Sequence, residues 1–448
     1  MSSLFGVRDY RHLFAAQVVA LFGTGLATVA LGLLAYELAA GRAAAVLGTA
    51  LALKMVTYVV VAPVVAAHAD RVPRRLLLVG LDLVRLGVVV LLPFVTEVWQ
   101  VYALVVVLQS ASAAFTPTFQ AVLPDLLPDE GQYTRALSYS QLASTMETLL
   151  SPLLAALVVS VVSFHWLFVG TAVGFAMSAV MVVTSRIPDA TPSRRDGAVE
   201  RTVAGLRIFL ATPRLRGLLG TDLAVAAVGS IVLVDTVTYV RQTLGGSSSD
   251  VALLLACNGI GVIIAAVLVP RVVDRAGDRG VMLTGCAVLT TAAIAAVGLS
   301  TATAGTWRWP AVAVIWMIVG AGTGLVLTPT GRVLRRSSAD TDRAAVFAAQ
   351  FSLSHACWLV GYPIAGWVAT GAGYPLTWSI LLCLTVVGTV VAARCWPRSD
   401  PSALPHVHTS DAGPGHLVGA ESTSAGHWRH THDFVIDAEH RHWPRSAA

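Results

Sequence analysis

HADRVPRRLLL, residues 68–78, and VVDRAGDRGVML, residues 272–283, are two versions of one charged turn. In each, an apolar run ends in an Asp-Arg pair, Asp70-Arg71 and Asp274-Arg275. More charge follows before the next apolar run: Arg74 and Arg75 in the first copy, Asp278 and Arg279 in the second. The two leading aspartates are 204 residues apart. A charged turn that closes a hydrophobic hairpin at the same place in each half implies a duplicated bundle of membrane helices. The task then becomes moving something across a membrane.

Composition agrees. Of 448 residues, 56% are apolar and only 12% charged, and the mean hydropathy is +0.72. A soluble chain carries about twice that charge fraction. Runs able to cross about 30 Å of hydrocarbon lie near 13–38, 44–67, 76–94, 98–119, 137–162 and 164–184, then near 215–240, 251–269, 280–300, 309–330, 345–369 and 375–393. Twelve spans make an all-α membrane protein of two six-helix bundles, residues 1–184 and 215–395. Between them lies a cytoplasmic linker, 185–214, whose VERTVAGLRIFL reads as an amphipathic surface helix. A His-rich cytoplasmic tail, 396–448, closes the chain. The first run is too long and continuous for a cleavable signal core. With the N-terminus inside, inner segments before residue 394 hold 20 arginines, and outer loops hold Arg42, Arg241 and Arg308. That asymmetry puts both termini in the cytoplasm. It also accounts for the net charge of +5, so nucleic acid is not an expected partner. The five cysteines have no paired or metal-type spacing and read as packing residues.

Further echoes strengthen the repeat. Thr116-Pro117-Thr118 in the fourth run recurs as Thr328-Pro329-Thr330 in the tenth, and Pro152 in the fifth as Pro363 in the eleventh. With these residues in view, the chain resembles a major facilitator superfamily (MFS) transporter over roughly residues 8–395. DRVPRR and DRAGDR are similar to that superfamily's loop signature, with Ala66 and Pro73 where the signature has glycines. RDYRHLFAAQ and LATPRLRGLL resemble the branch that includes siderophore exporters and transmembrane secretion effectors. LLSPLLAA resembles the antiporter motif, with Ser151, Ala155 and Ala156 in place of glycines. The arginine that many proton-coupled members carry in the fourth helix is missing, since VYALVVVLQSASAAF has only Gln109 there. The resemblance assigns Asp70, Arg71, Arg74, Arg75, Asp274 and Arg275 to the gate.

Candidate site residues are intramembrane polar groups, which are costly in lipid and therefore face a cavity or a partner. Lys54, the chain's single lysine, sits in the middle of the second run. Adding 204 to its number gives Asn258 in the eighth, so the two are symmetry mates about a central site. Glu147 is mid-membrane in the fifth run, on one face with Ser151 and Ala155. The resemblance places that face against the eighth helix, and so near Asn258. Glu147 could carry a proton or pin the halves together. His355, at matching depth in the eleventh run, is either a packing residue or a partner to Lys54 for an anionic group. Asp222 and Asp235 in the seventh run are weaker candidates for substrate or proton coupling. Asp82 and Arg85, three apart, read as a structural ion pair.

Eight of twelve histidines fall after residue 405. A flexible tail is expected up to Arg429, then a more ordered HDFVIDAEHRHWP. His430, His432, His440 and His442 are speculative ligands for a divalent metal. The expected protein is a bacterial inner-membrane exporter, not an enzyme, without cofactor. It would couple protons to the efflux of a small amphipathic drug, siderophore or metabolite. Rivals are metal efflux and a non-transporting membrane sensor or scaffold.

Overall fold

The computed structural model describes residues 4–68, 72–127, 130–187, 198–303, 305–339, 343–400, 403–409, 421–424, 427–436, 440 and 443–444. The first half contains α1 (Arg8–Ala39), α2 (Ala43–His68), α3 (Arg74–Leu91), α4 (Val98–Leu126), α5 (Glu130–Val161) and α6 (His165–Val183). A short helix, α7 (Ala198–Ala211), falls where the amphipathic linker is expected. The second half contains α8 (Pro213–Thr238), α9 (Ser248–Thr301), α10 (Arg308–Arg336), α11 (Arg343–Pro363) and α12 (Tyr374–Cys395). α9 is two limbs, 248–276 and 278–301, that meet at Gly277. α11 continues through a π turn, Ile364–Val368, into Ala369–Ala372.

The break inside α9 has a local cause with a counterpart in the first half. Gly277 takes φ 69° and ψ 164°, a left-handed backbone that only glycine adopts without strain. Its partner at the 204-residue offset is Pro73, the N-cap of α3, whose φ of −51° and missing N–H start a helix just as abruptly. Two different residues make one turn.

Among the described residues, ten helical segments are long and apolar enough to cross a membrane by length and composition. They are α1 to α4, α6, α8, both limbs of α9, α10 and α12. The two remaining long helices, α5 and α11, hold equivalent places in the two halves. Exposure patterns fit lipid. α8 is buried along nearly its whole length, whereas α3 turns Leu76, Leu83, Val90 and Leu91 outward. Water would penalise such a patch and hydrocarbon does not.

The described part of the tail corrects the expectation of a flexible segment. Strands β1 (Ala403–Thr409), β2 (Glu421–Ser424) and β3 (His427–Asp433) form an antiparallel sheet in the order β1-β3-β2. The sequences HVHT and HTHD alternate with period two, a strand pattern that polar composition disguises. Leu404, Phe434 and Ile436 are buried in the same core as the second bundle, which fixes the sheet to it.

Candidate functional site

The start of α1 and the end of α12 lie at one end of the bundle, and several described ties between the halves lie toward the other. There the guanidinium of Arg241 lies 5.3 Å from the centre of the Tyr36 ring. Trp367 Nε1 of the α11 extension donates to Thr49 Oγ1 of α2 at 3.1 Å. Gly48 and Gly366 bring the same two elements into backbone contact. A methyl group on Gly48 would lie 2.7 Å from the Tyr362 carbonyl oxygen and 3.0 Å from Gly366 Cα. The small residues are there because the backbones touch.

Farther along the same seam, α2 and α11 bring two predicted residues together. Lys54 Nζ lies 5.6 Å from the centre of the Tyr58 ring. That ring stacks on Phe351 at 5.8 Å and tilts against His355 at 5.3 Å. His355 also packs on Phe351 at 4.0 Å, and its Nδ1 meets the Phe351 carbonyl oxygen at 2.6 Å. With its proton on Nδ1, the ring turns Nε2 toward other partners. A primary amine, a phenol and an imidazole thus share one aromatic-walled seam between the two halves. Such a wall accepts a planar apolar body, and the amine accepts an anionic substituent.

The other predicted residues go elsewhere. The Glu147 carboxylate lies beside Gly25 of α1, where an added methyl would come within 2.6 Å of Oε1 and 2.0 Å of Ser151 Oγ. Asn258 donates from Nδ2 to the Trp316 carbonyl oxygen of α10 at 3.1 Å, a bond inside the second half. So Lys54 and Asn258 are equivalent in number but point to different neighbours. Asp222 accepts from Gln350 Nε2 at 2.8 Å, both buried, and joins α8 to α11. Asp235 is 1% exposed, and neither carboxylate oxygen has a hydrogen-bond partner among the described residues. Next to it, Thr236 Oγ1 accepts from Trp316 Nε1 at 2.8 Å. Gln109 lines a cavity of about 10 Å³ with Thr24, Thr28 and Ser112, room for a single water.

Asp82 and Arg85 form a buried pair. Ser178 of α6 donates to Asp82 at 2.8 Å, and the guanidinium lies 4.1 Å from the Phe115 ring and 4.7 Å from that of Phe175. Of the gate residues, Asp70 and Arg71 lie outside the described residues, as does the side chain of Asp274. Arg74 keeps a partner, and Arg275 is exposed. Arg75 donates to the Val183 carbonyl oxygen at the end of α6. Its mate at the 204-residue offset, Arg279, donates from Nε to the Trp396 carbonyl oxygen and from Nη2 to that of Ala393, both at 3.0 Å, at the end of α12. In each half, one arginine staples the third helix to the sixth.

A family model described as Major Facilitator Superfamily matches this chain over residues 13–307 and 223–431. The chain belongs to that superfamily. The transporter is 26% identical to "Uncharacterized MFS-type transporter YfiS" of Bacillus subtilis over 341 residues, 73% of this chain and 79% of the relative. It is 29% identical to "Macrolide efflux protein A" of Streptococcus pyogenes over 181 residues, which are 39% of this chain and 44% of that protein. In fold it is similar to nucleoside transporter NupG, with a TM-score of 0.64 at 11% identity, covering 86% of this chain and 98% of that one. A D-xylose-proton symporter matches with a TM-score of 0.64 at 16% identity, covering 87% and 98%. Identities this low show the fold alone.

Sequence reasoning missed one polar cluster in this transporter. At the end where α1 starts and α12 finishes, Arg214 of α8 is buried and pairs with Asp400 at 3.4 Å. Asp400 also pairs with Arg336 of α10 at 2.8 Å. Asp278 of the second charged turn receives Arg332 at 3.2 Å and Arg336 at 3.8 Å. Trp443 of the tail lies under the Arg214 guanidinium at 5.1 Å, and the Phe434 carbonyl accepts from its Nη2 at 3.4 Å. Arg279 had a signal in the repeat offset. Asp400 had none, because its partners are 186 and 64 residues away.

Proposed function

We propose that this MFS transporter is a proton-coupled exporter in the bacterial inner membrane, with both termini cytoplasmic. Its halves rock about a midplane site to carry a small amphipathic compound outward. The observation that carries this reading is the seam of Lys54, Tyr58, Phe351 and His355, which offers an aromatic slot and a cation between the bundles. With the termini inside, closure at the opposite end corresponds to an inward-open state, ready to load cargo from the cytoplasm. The likeness to macrolide efflux proteins supports the outward direction. Glu147 is the proposed proton carrier. It is an intramembrane carboxylate beside Gly25 of α1, so a small shift of α1 against α5 changes its surroundings and its hold on a proton.

The test is a susceptibility screen of drugs and siderophores in a pump-deficient host, with wild type, Lys54→Ala and Glu147→Gln expressed equally. Wild type should protect, and both variants should lose protection toward the same compounds. Full protection retained in both removes the site assignment. In proteoliposomes, wild type should move protons when an identified compound is added, and Glu147→Gln should not. An intact protein that gives no flux with any compound would favour the membrane sensor.

A further inference from the structure

One polar pocket in the first bundle offers oxygens that can accept but have no hydrogen left to give. Thr24 and Thr28 stand one turn apart on α1, and Gln109 and Ser112 stand three apart on α4, so each pair shares a helix face. All four side chains line one cavity of about 10 Å³, whose remaining walls are apolar, among them Leu31, Leu108 and Phe175. The Thr24 hydroxyl donates to the Ala20 carbonyl oxygen at 2.9 Å, Thr28 to that of Thr24 at 3.0 Å and Ser112 to that of Leu108 at 3.0 Å. A hydroxyl has a single hydrogen, and each of these is committed to its own helix. Gln109 is 5% exposed, and its Oε1 has no hydrogen-bond partner among the described residues.

What suits such a pocket follows from its charge and from its lack of donors. Thr24, Thr28 and Gln109 supply three oxygens that accept and do not donate, and Ser112 adds a fourth oxygen to the wall. A buried amide oxygen left without a donor is costly. A water brings two hydrogens and satisfies at most two of these groups. A hard cation, which prefers oxygen ligands, takes all of them at once. Neutral oxygens are enough for a monovalent ion, as in channel filters whose carbonyls replace its hydration shell. No lining residue is charged, whereas calcium and magnesium sites draw on carboxylates. Arg85, which touches the Phe175 ring at 4.7 Å, is neutralised by Asp82. Thr24 and Thr28 are only partly buried, which leaves a way in along α1.

We propose that this pocket between α1 and α4 binds one small monovalent cation of the sodium class. Gln109 Oε1 and the hydroxyl oxygens of Thr24, Thr28 and Ser112 are its ligands. The bound ion ties α1 to α4 through oxygens on both helices, so it stabilises the first bundle in proportion to its occupancy. The site lies on other helices than the Lys54 seam, and it rests neither on the cargo nor on Glu147. It gives this transporter a sodium-dependent state besides any proton that it carries.

The test uses full-length protein in detergent. Binding of radiolabelled sodium is read by scintillation proximity, and melting is compared in sodium chloride and choline chloride at equal ionic strength. Expected are one bound sodium per chain, displaced by unlabelled sodium and not by choline, and a higher melting temperature in sodium chloride. Gln109→Leu and Thr28→Val remove an oxygen at nearly constant volume, and each should weaken sodium by at least about tenfold. Gln109→Glu sets a negative charge on the same wall and should tighten it. Thr385→Val removes a buried hydroxyl of the same kind from α12 and should bind as wild type does. Folded wild-type protein that binds no sodium overturns the proposal and leaves the pocket to a water. So does wild-type affinity in both Gln109→Leu and Thr28→Val. Weaker binding in Gln109→Glu overturns it as well, because the amide N–H groups would then face the cavity. Should Gln109→Leu fail to fold, Thr28→Val and Gln109→Glu decide. Lys54→Ala should bind sodium unchanged, so failure of the susceptibility screen is told apart from failure here.

Discussion

The arginine at 85 shows how a single charged side chain is tolerated inside a membrane helix. Its guanidinium is covered by the Phe115 and Phe175 rings and neutralised by Asp82, which Ser178 also satisfies. Removing one member strands the other charge in a low-dielectric interior, a loss of about 3–5 kcal/mol. Arg85→Ala should therefore lower the melting temperature steeply in detergent, and the double variant Asp82→Leu/Arg85→Met should recover most of the loss. An Arg85→Ala protein as stable as wild type would show that the pair is idle. The pairing was legible in the three-residue spacing. The aromatic cover was not, because Phe115 and Phe175 come from other helices. The same limit applied to Lys54 and Asn258. Their numbers are related by the repeat, yet side-chain direction depends on each half's own packing, and one turns to Tyr58 while the other turns to the Trp316 carbonyl.

Among elements, one contact that joins the halves in this conformation is α2 against the α11 extension. It works because Gly48 and Gly366 have no side chains. A side chain at 48 meets the Tyr362 carbonyl and Gly366 backbone, groups that cannot step aside, so overpacking costs about 1–3 kcal/mol in this state alone. Gly48→Leu should shift the population away from closure at this end. Spin labels on the loops after α1 and α8 should then report longer distances, with expression unchanged. Unaltered distances would mean that the seam does not control closure. The charged turns belong to this scale as well. Their repeat located the third and ninth runs, and Pro73 and Gly277 explain why each helix starts there. What the arginines bind was not legible: Arg75 and Arg279 reach carbonyls more than 100 residues away.

For the whole molecule, the tail and the second bundle are one unit. Asp400, Phe434 and Trp443 all converge on Arg214, and Arg336 ties the same carboxylate to α10. Deleting residues 400–448 uncovers Arg214 and breaks both ion pairs. The second bundle should melt earlier, whereas Asp400→Asn should produce only part of that shift. Equal melting of the deleted and intact proteins would mean that the docked tail adds nothing to stability. Orientation is open to direct measurement too. In a cysteine-free background, a cysteine at 42 should react with an impermeant reagent in intact cells, and one at 398 only after permeabilisation. The opposite pattern would reverse the inward-open reading.

Hydropathy and the 204-residue repeat pointed by themselves to an all-helical duplicated bundle, and the resemblance of its charged turns pointed to the superfamily. Those properties follow from local transfer energies and from composition summed over long windows, which a chain carries in order along its length. Only the tertiary structure decided that Lys54 and His355 meet along one aromatic seam, that Glu147 lies beside Gly25, and that the histidine tail folds into a sheet on Arg214. Each of these depends on which faces of distant helices come together. That is settled by packing and by partners for buried charge, not by any neighbour in sequence. The charged turn announced the fold, and the contacts across the bundle decided what its arginines hold.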